Sequence, residues 1–118
     1  MHELAICQDV IAQVERIAQQ HQAIAIERIE MQIGPLSGVE APLLKSAFTI
    51  ACSGTIAENA ELAIESMPIK VKCLSCNKES VVTTNKLICN HCGDWKTQLI
   101  SGDEMILKRI EMDTETVN

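Results

Sequence analysis

Four cysteines in the second half of the chain have the spacing of a metal site. Cys73 and Cys76 form one Cys-x-x-Cys pair, Cys89 and Cys92 form a second, and twelve residues separate the two pairs. Zinc is bound in proteins by four tetrahedral ligands, and thiolates are among the ligands that it prefers. Two tight turns, brought side by side by a short hairpin, would supply all four sulfurs. The spacing predicts one structural zinc site, because four thiolates leave no coordination position open for water.

The residues that follow the two pairs suit such a site. Asn77 comes directly after the first pair and Gly93 directly after the second. Both residue types tolerate a left-handed backbone, which the chain needs where it curls around a metal ion.

Other uses of these cysteines fit less well, with one exception. Two disulfides would suit a small secreted protein, but the N-terminus lacks the basic start and apolar core of a secretory signal. A thioredoxin-like redox site needs a single pair near a βαβ pattern. A zinc deaminase is disfavoured, because the His-x-Glu element that precedes Pro-Cys-x-x-Cys is absent. Iron stays open as the exception, since an all-thiolate cage holds it with the same ligand set.

The N-terminus offers a different set of ligands. The amine of Met1, the amide nitrogen of His2 and the imidazole of His2 can reach one metal ion, closing a five-membered and a six-membered chelate ring. Glu3 can add its backbone nitrogen or its carboxylate. Nitrogen-rich planar coordination is favoured by Ni(II) and Cu(II). The tripeptide alone has little specificity, because a lone histidine is usually an ordinary surface residue.

Composition excludes several classes of partner. The chain has 118 residues, a net charge of -6 and a pI of about 5.0, with Phe48 and Trp95 as its two aromatic residues. Binding of nucleic acid needs clustered Lys and Arg or aromatic stacking platforms, so it is not expected. No apolar run has the length of a membrane span. Thiols, a zinc site and the missing signal together predict a cytoplasmic protein.

Hydrophobic periodicity predicts the order helix, strand, helix, strand, zinc lobe, strand. An apolar stripe at three- and four-residue spacing predicts a helix from about Glu3 to Gln20. The remaining expected elements are a strand in 23–34, a helix with Pro42 in its first turn, an irregular strand in 61–72, and strands near 97–100 and 105–112. The predicted fold is α/β: a two-layer sandwich of two helices on a small three-stranded sheet, with an inserted zinc-ribbon-like four-cysteine lobe.

Taken together, these motifs resemble the HypA/HybF family, over essentially the whole chain. Four segments carry the resemblance: Met1–Leu4, Ile33–Glu40, the two cysteine pairs and Lys108–Glu111. Proteins of this family are nickel metallochaperones that help mature nickel–iron hydrogenases and, in some bacteria, urease. Histidines that flank the cysteine pairs in some members are missing here, apart from His91 inside the second pair.

The resemblance implies a metal carrier that is not an enzyme. It implies nickel as cargo at Met1, His2 and Glu3, and structural zinc at the four cysteines. Glu40 matches the family's acidic position and is a further candidate nickel ligand; its ordinary interpretation is an acid that interacts favourably with a helix N-terminus.

The resemblance also implies a division of the chain and a set of partners. Residues 1–72 plus 97–118 would form the nickel-binding α/β domain, and residues 73–96 the zinc-binding domain. The implied partners are a HypB-type GTPase, the hydrogenase large subunit and urease accessory proteins, with the chain itself a monomer or a weak homodimer. The alternative function is a zinc-ribbon adaptor between proteins that transfers no nickel.

Overall fold

The computed structural model describes residues 3–114, in which two helices and six strands form a mixed α/β fold. In chain order the elements are α1 Glu3–Gln20, β1 Ala23–Ile33, α2 Ala41–Ala51, β2 Glu61–Ser66, β3 Ile69–Cys73, β4 Glu79–Val82, β5 Thr97–Ser101 and β6 Met105–Thr114. The strands form two three-stranded sheets, with the orders β2-β1-β6 and β4-β3-β5. The predicted fold class, with two helices, a small sheet and a four-cysteine lobe, is confirmed; the second sheet is an addition to it.

Helix α1 has the bounds that its apolar stripe predicts. Cys7, Val10, Val14 and Ala18 are buried and recur at three- and four-residue spacing, which places them on one face of the helix. The helix ends at Gln20, and Gln22 then takes a left-handed backbone with φ of 54°. This turn leads directly into β1.

Helix α2 packs against α1 through its own apolar face. Glu40 is the N-cap residue, and Pro42 lies in the first turn, where its missing N–H costs no intrahelical bond. Leu44 and Phe48 are the buried residues of the helix. The buried thiol of Cys7 on α1 lies 3.4 Å from the backbone carbonyl oxygen of Leu44.

Strand β1 is longer than its alternating segment. Ile29, Met31 and Ile33 are buried at every second position, as the sequence predicts. The strand nevertheless begins at Ala23, and Ile26 is also buried, three residues before Ile29. Because alternation places these two side chains on opposite faces of a regular strand, their burial departs from the single buried face that the sequence predicts.

The irregular strand expected over 61–72 is in fact two strands. β2 ends at Ser66, β3 begins at Ile69, and the two belong to different sheets. Pro68 lies in the break, where its missing N–H costs no ladder bond. β3 then pairs antiparallel with both β4 and β5 and leads into Cys73.

The described residues form two compact units. The first comprises residues 3–31, 39–64 and 107–114, and the second comprises residues 32–38 and 65–106. The second unit contains all four paired cysteines together with the strands that flank them. No helix within residues 3–114 is both long enough and apolar enough to span a bilayer.

Candidate metal centre

The four cysteines of the two pairs come together in one cluster. Their sulfur atoms all lie within 4.8 Å of one another. Cys73 Sγ is 3.5 Å from Cys92 Sγ, and Cys76 Sγ is 3.6 Å from Cys89 Sγ. A tetrahedral zinc ion with bonds of about 2.3 Å holds its sulfurs about 3.8 Å apart. The cluster therefore fits a tetrahedral ion, and within residues 3–114 it is the one group of three or more metal-ligating side chains.

The same backbone turn is built twice to make this cluster. In the first turn the Cys73 N–H donates to the Lys78 carbonyl at 2.9 Å, and the Asn77 N–H donates to the Cys73 carbonyl at 3.0 Å. The second turn repeats both bonds, each at 3.0 Å, from Cys89 N–H to Asp94 and from Gly93 N–H to Cys89. Each pair of sulfurs thus lies in a turn that is closed by two backbone hydrogen bonds.

The sequence prediction for the residues after each pair is confirmed. Asn77 has φ of 62° and Gly93 has φ of 77°, both in the left-handed region. Gly pays no steric penalty there, and Asn is the side chain that most often replaces it. The chain reverses at these residues, so that the sulfurs point inward.

Backbone N–H groups stabilise the thiolate form of one cysteine in each pair. The N–H groups of Ser75 and Cys76 each lie 3.4 Å from Cys73 Sγ. The pKa of Cys73 is lowered, first by the Cys76 N–H and to a smaller extent by that of Ser75. The Cys92 N–H is the largest cause that lowers the pKa of Cys89 to about 6. Because metals bind the thiolate, these N–H groups favour the coordinating form of Cys73 and Cys89, whereas the pKa values of Cys76 and Cys92 are not lowered.

Ser80 is a polar contact of the centre that the sequence analysis missed. It is buried on β4, its Oγ accepts a hydrogen bond from the Asn90 N–H at 3.0 Å, and its hydroxyl lies 3.9 Å from Cys89 Sγ. The Asn90 side chain in turn donates to the Val81 carbonyl at 2.9 Å. These bonds fasten the second turn to β4. The only available signal was a serine at an inward position of a short strand, which by itself predicts no role.

Two further polar contacts surround the cluster. The Ser75 hydroxyl donates to the Asp94 carboxylate, and this bond, followed by the Lys96 N–H, lowers the pKa of Asp94. The contact joins the first cysteine turn to the end of the second. The ring Nε2 of His91 lies 3.3 Å from the Glu79 carbonyl oxygen, so this histidine contacts β4 and is not a member of the ligand cluster.

The residues predicted to bind nickel are only partly described. Met1 and His2 lie outside the described residues. Glu3 is the first residue of α1 and is 7% exposed. Its carboxylate accepts a hydrogen bond from the backbone N–H of Glu40. The structure therefore brings Glu3 and Glu40 together, through the backbone of Glu40, whose own side chain is exposed and makes no cap bond.

A mixed α/β unit that carries a four-cysteine lobe defines a small metal-binding protein, and comparison with known proteins identifies its family. The family model for "Hydrogenase/urease nickel incorporation, metallochaperone, hypA" matches residues 1–112. The chain is 45% identical to the hydrogenase maturation factor HypA of Nitrosospira multiformis, covering 97% of this chain and 99% of that one. It is 40% identical to the factor of the same name from Aquifex aeolicus, covering 98% and 100% of the two chains. The chain belongs to the HypA family of hydrogenase maturation factors.

Solved structures agree with this assignment. The fold is similar to the solution structure of the Ni metallochaperone HypA from Helicobacter pylori, with a TM-score of 0.69 and 29% identity over 98% of this chain and 100% of that one. A second solution structure of a HypA protein gives a TM-score of 0.74 with 28% identity, covering 98% of each chain. The similarity therefore spans both units of the molecule.

Proposed function

We propose that the protein is a nickel metallochaperone that delivers Ni(II) for the maturation of a nickel–iron hydrogenase, and of urease where that enzyme is present. The observation that carries the proposal is the match of residues 1–112 to the nickel-incorporation family. The four-sulfur cluster supports it, because a metal ion held there would be resident and separate from the cargo.

The resident metal is zinc in this proposal, and Cys73, Cys76, Cys89 and Cys92 bind it. Four thiolates saturate a tetrahedral ion and leave no position for a substrate, so the role of the metal is structural. The repeated turns support this assignment, because they hold each sulfur pair in place by backbone bonds. Residues 73–96 form the zinc-binding domain, and residues 1–72 with 97–118 form the nickel-binding domain.

The cargo site is at the N-terminus. The Met1 amine, the His2 amide nitrogen and imidazole, and Glu3 provide the ligands, with Glu40 as a further ligand. The bond between the Glu3 carboxylate and the Glu40 N–H supports the inclusion of Glu40, since it holds the two residues side by side.

The partners follow from the family. Membership in a hydrogenase maturation family indicates partners in that process. We propose a HypB-type GTPase and the hydrogenase large subunit, with urease accessory proteins as further partners, all in the cytoplasm. The protein carries metal between them and catalyses no reaction of its own.

Metal analysis of the untagged protein tests the proposal. We expect one zinc per purified chain and, in a calorimetric titration, one further site for Ni(II) that leaves the zinc in place. A chain treated with EDTA under mild conditions should keep its zinc and lose its nickel. Zinc without any nickel binding would contradict the carrier function and would instead support a zinc-ribbon adaptor.

A further inference from the structure

Strand β5 is an edge strand that lacks the usual protection against a further strand. In the order β4-β3-β5 it pairs with β3 on one side, and no other strand of residues 3–114 lies along its outer side. Natural edge strands commonly carry charged residues or proline, which prevent pairing with another chain. The other edge strands of the two described sheets, β2, β4 and β6, each contain at least one acidic residue. β5, with the sequence Thr-Gln-Leu-Ile-Ser, contains neither a charged residue nor proline.

The pairing register shows which backbone groups of β5 point outward. The Leu74 N–H donates to the Lys96 carbonyl at 2.9 Å, so these two residues form a hydrogen-bonded pair just before β5. Bonded and non-bonded pairs alternate along an antiparallel ladder. Val71 and Leu99 are partners three positions further along the same ladder and are therefore a non-bonded pair. The N–H and C=O of Leu99 consequently point away from β3, toward the outer side of the sheet.

Large apolar side chains are exposed along the same edge. Leu99 and Ile100 are 38% and 47% exposed, and Trp95, two residues before the strand, is 73% exposed. Lys96 Nζ lies 5.8 Å from the centre of the Trp95 ring. Tryptophan is enriched where proteins bind one another, because its ring provides a large contact area. An exposed tryptophan beside an unprotected edge strand therefore indicates an interaction surface.

The charge around this edge differs from that of the rest of the chain. Residues 70–96 hold five of the ten basic residues and two of the 16 acidic residues, so that the remaining residues hold five basic and 14 acidic ones. The segment stays positive even with the two negative charges that zinc and four thiolates would add. Its five lysines are all exposed: Lys70, Lys72, Lys78, Lys86 and Lys96.

The charge selects the kind of segment that can pair with β5. A second copy of the chain would bring its own five lysines to the interface, and like charges across a sheet destabilise pairing. A segment with carboxylates beside Lys96 would form attractive pairs instead. Aliphatic side chains next to these carboxylates would cover Leu99, Ile100 and the ring of Trp95. Nucleic acid would fit less well, because it cannot continue the backbone ladder of a sheet.

We propose that the outer side of β5 binds an extended, acidic segment of a partner protein as an additional antiparallel strand. The segment carries aliphatic residues opposite Leu99 and carboxylates opposite Lys96. In this mode of recognition the backbone bonds supply affinity and the side chains supply specificity. The antiparallel direction continues the pattern of the existing sheet and is slightly more stable per residue. The proposal goes beyond metal transport, because β5 contains none of the proposed nickel ligands.

Titration with a defined peptide tests the proposal. The probe is Lys-Thr-Val-Ile-Val-Thr-Glu-Asp, blocked at both ends, whose acidic end lies beside Lys96 when its isoleucine lies opposite Leu99. Trp95 is the reporter, since it is the one tryptophan of the chain. We expect its emission to shift, with a dissociation constant between about 10 µM and 1 mM. A probe with Gln and Asn in place of Glu and Asp should bind at least about threefold more weakly.

Two variants separate backbone pairing from charge. Leu99→Pro removes an outward N–H and leaves the bonds between β5 and β3 in place, so it should weaken binding at least about tenfold. Lys96→Glu puts like charges side by side and should weaken binding about tenfold. Lys45→Glu, the same change at an exposed position of α2, should leave binding unchanged. Zinc content and circular dichroism should show that every variant keeps the native fold.

Three outcomes would overturn the proposal. The first is a native chain that does not bind the probe at about 1 mM, and the second is a Leu99→Pro chain that binds it as the native chain does. The third is a native chain whose self-association is lost in Leu99→Pro, because a second copy would then occupy the outer side of β5.

Discussion

The cysteine cluster and the N-terminal region assemble their ligands in opposite ways. The cluster draws four side chains from two separated turns, and each turn is closed by its own backbone bonds. Cys73 and Cys89 are almost fully buried, at 0% and 3% exposure, whereas Cys76 is half-buried and Cys92 is exposed. The proposed nickel site uses adjacent residues at the end of the chain, including backbone nitrogens, and draws only Glu40 from elsewhere.

If the nickel site is the proposed one, this difference explains why zinc would stay bound and nickel would be passed on. A site with four thiolates from two turns holds its ion through several strong bonds at once, and two of these thiolates are buried, so we expect its exchange to be slow. A site of adjacent terminal residues can lose its ligands one at a time. The first arrangement suits a structural ion and the second suits cargo that must be handed on.

Removing one thiolate should abolish the resident centre. In Cys73→Ala we expect the zinc content to fall well below one per chain, because three thiolates and a water hold the ion more weakly than four thiolates do. Metal binding supplies much of the folding free energy of such lobes, so residues 73–96 should lose structure while α1 and α2 persist. Elemental analysis and amide exchange measure both outcomes. Cys52→Ala, which removes a thiol outside the cluster, should keep its zinc; full zinc retention by Cys73→Ala would disprove the assignment.

Extending the N-terminus should damage only the cargo site. A Gly-Ser extension before Met1 converts its amine into an ordinary amide and moves His2 away from its chelating position. We expect nickel affinity to fall at least about a hundredfold, or about 2.8 kcal/mol, with zinc content unchanged. The same extension after Asn118 is the matched control. Calorimetric titration decides, and unchanged affinity would exclude the amine as a ligand.

The native nickel site should also weaken as the pH falls. Protons compete with the metal for the amine and the imidazole, whose ordinary pKa values are about 7.7–8.0 and about 6.5. Affinity should therefore decline steadily between about pH 8 and pH 6. The zinc should be retained over this range, so that nickel is released at a higher pH than zinc. Simultaneous loss of both metals would remove the distinction between cargo and structural ion.

Removing Ser80 should loosen the zinc centre without abolishing it. Ser80→Ala deletes the acceptor of the Asn90 N–H and the hydroxyl next to Cys89 Sγ. Loss of such an outer contact typically costs about 10–100-fold in metal affinity, and we expect the lower end, because the backbone bonds of the turn remain. Transfer of zinc to a chromogenic chelator measures the effect. Ser46→Ala on α2 is the control, and equal transfer rates would show that Ser80 does not support the centre.

Local patterns accounted for most of what could be predicted from the sequence. The apolar stripe of α1 predicts where the helix begins and ends, and Asn77 and Gly93 have the left-handed backbone expected from their residue types. These features depend on neighbouring residues, so spacing and residue type are sufficient. The membership of the four cysteines in one cluster is also implied by their spacing, since each pair lies in its own tight turn.

The features that were missed depend on residues far apart in the chain. The second sheet requires β4, whose four residues are too few to show a period, and β3, whose sequence runs on from that of β2. The role of Ser80 depends on Asn90, which reaches it only after the second turn has folded back. The bond from the Glu40 N–H to Glu3 joins two helix ends and has no sequence signature.

The smallest expected effect concerns Glu40. Its carboxylate is exposed, and its backbone N–H already bonds to Glu3, so replacement of the side chain leaves that contact intact. If the Glu40 carboxylate is the additional nickel ligand, Glu40→Gln should reduce nickel affinity by about threefold to tenfold, or about 0.7–1.4 kcal/mol, since the nitrogen ligands at the terminus remain. Glu58→Gln, a matched exposed acid, should have no effect. Paired titrations at one pH distinguish the two variants. If the two variants bind nickel with equal affinity, Glu40 is not a ligand. All nickel ligands would then come from adjacent terminal residues, whereas the zinc ligands come from two separate turns.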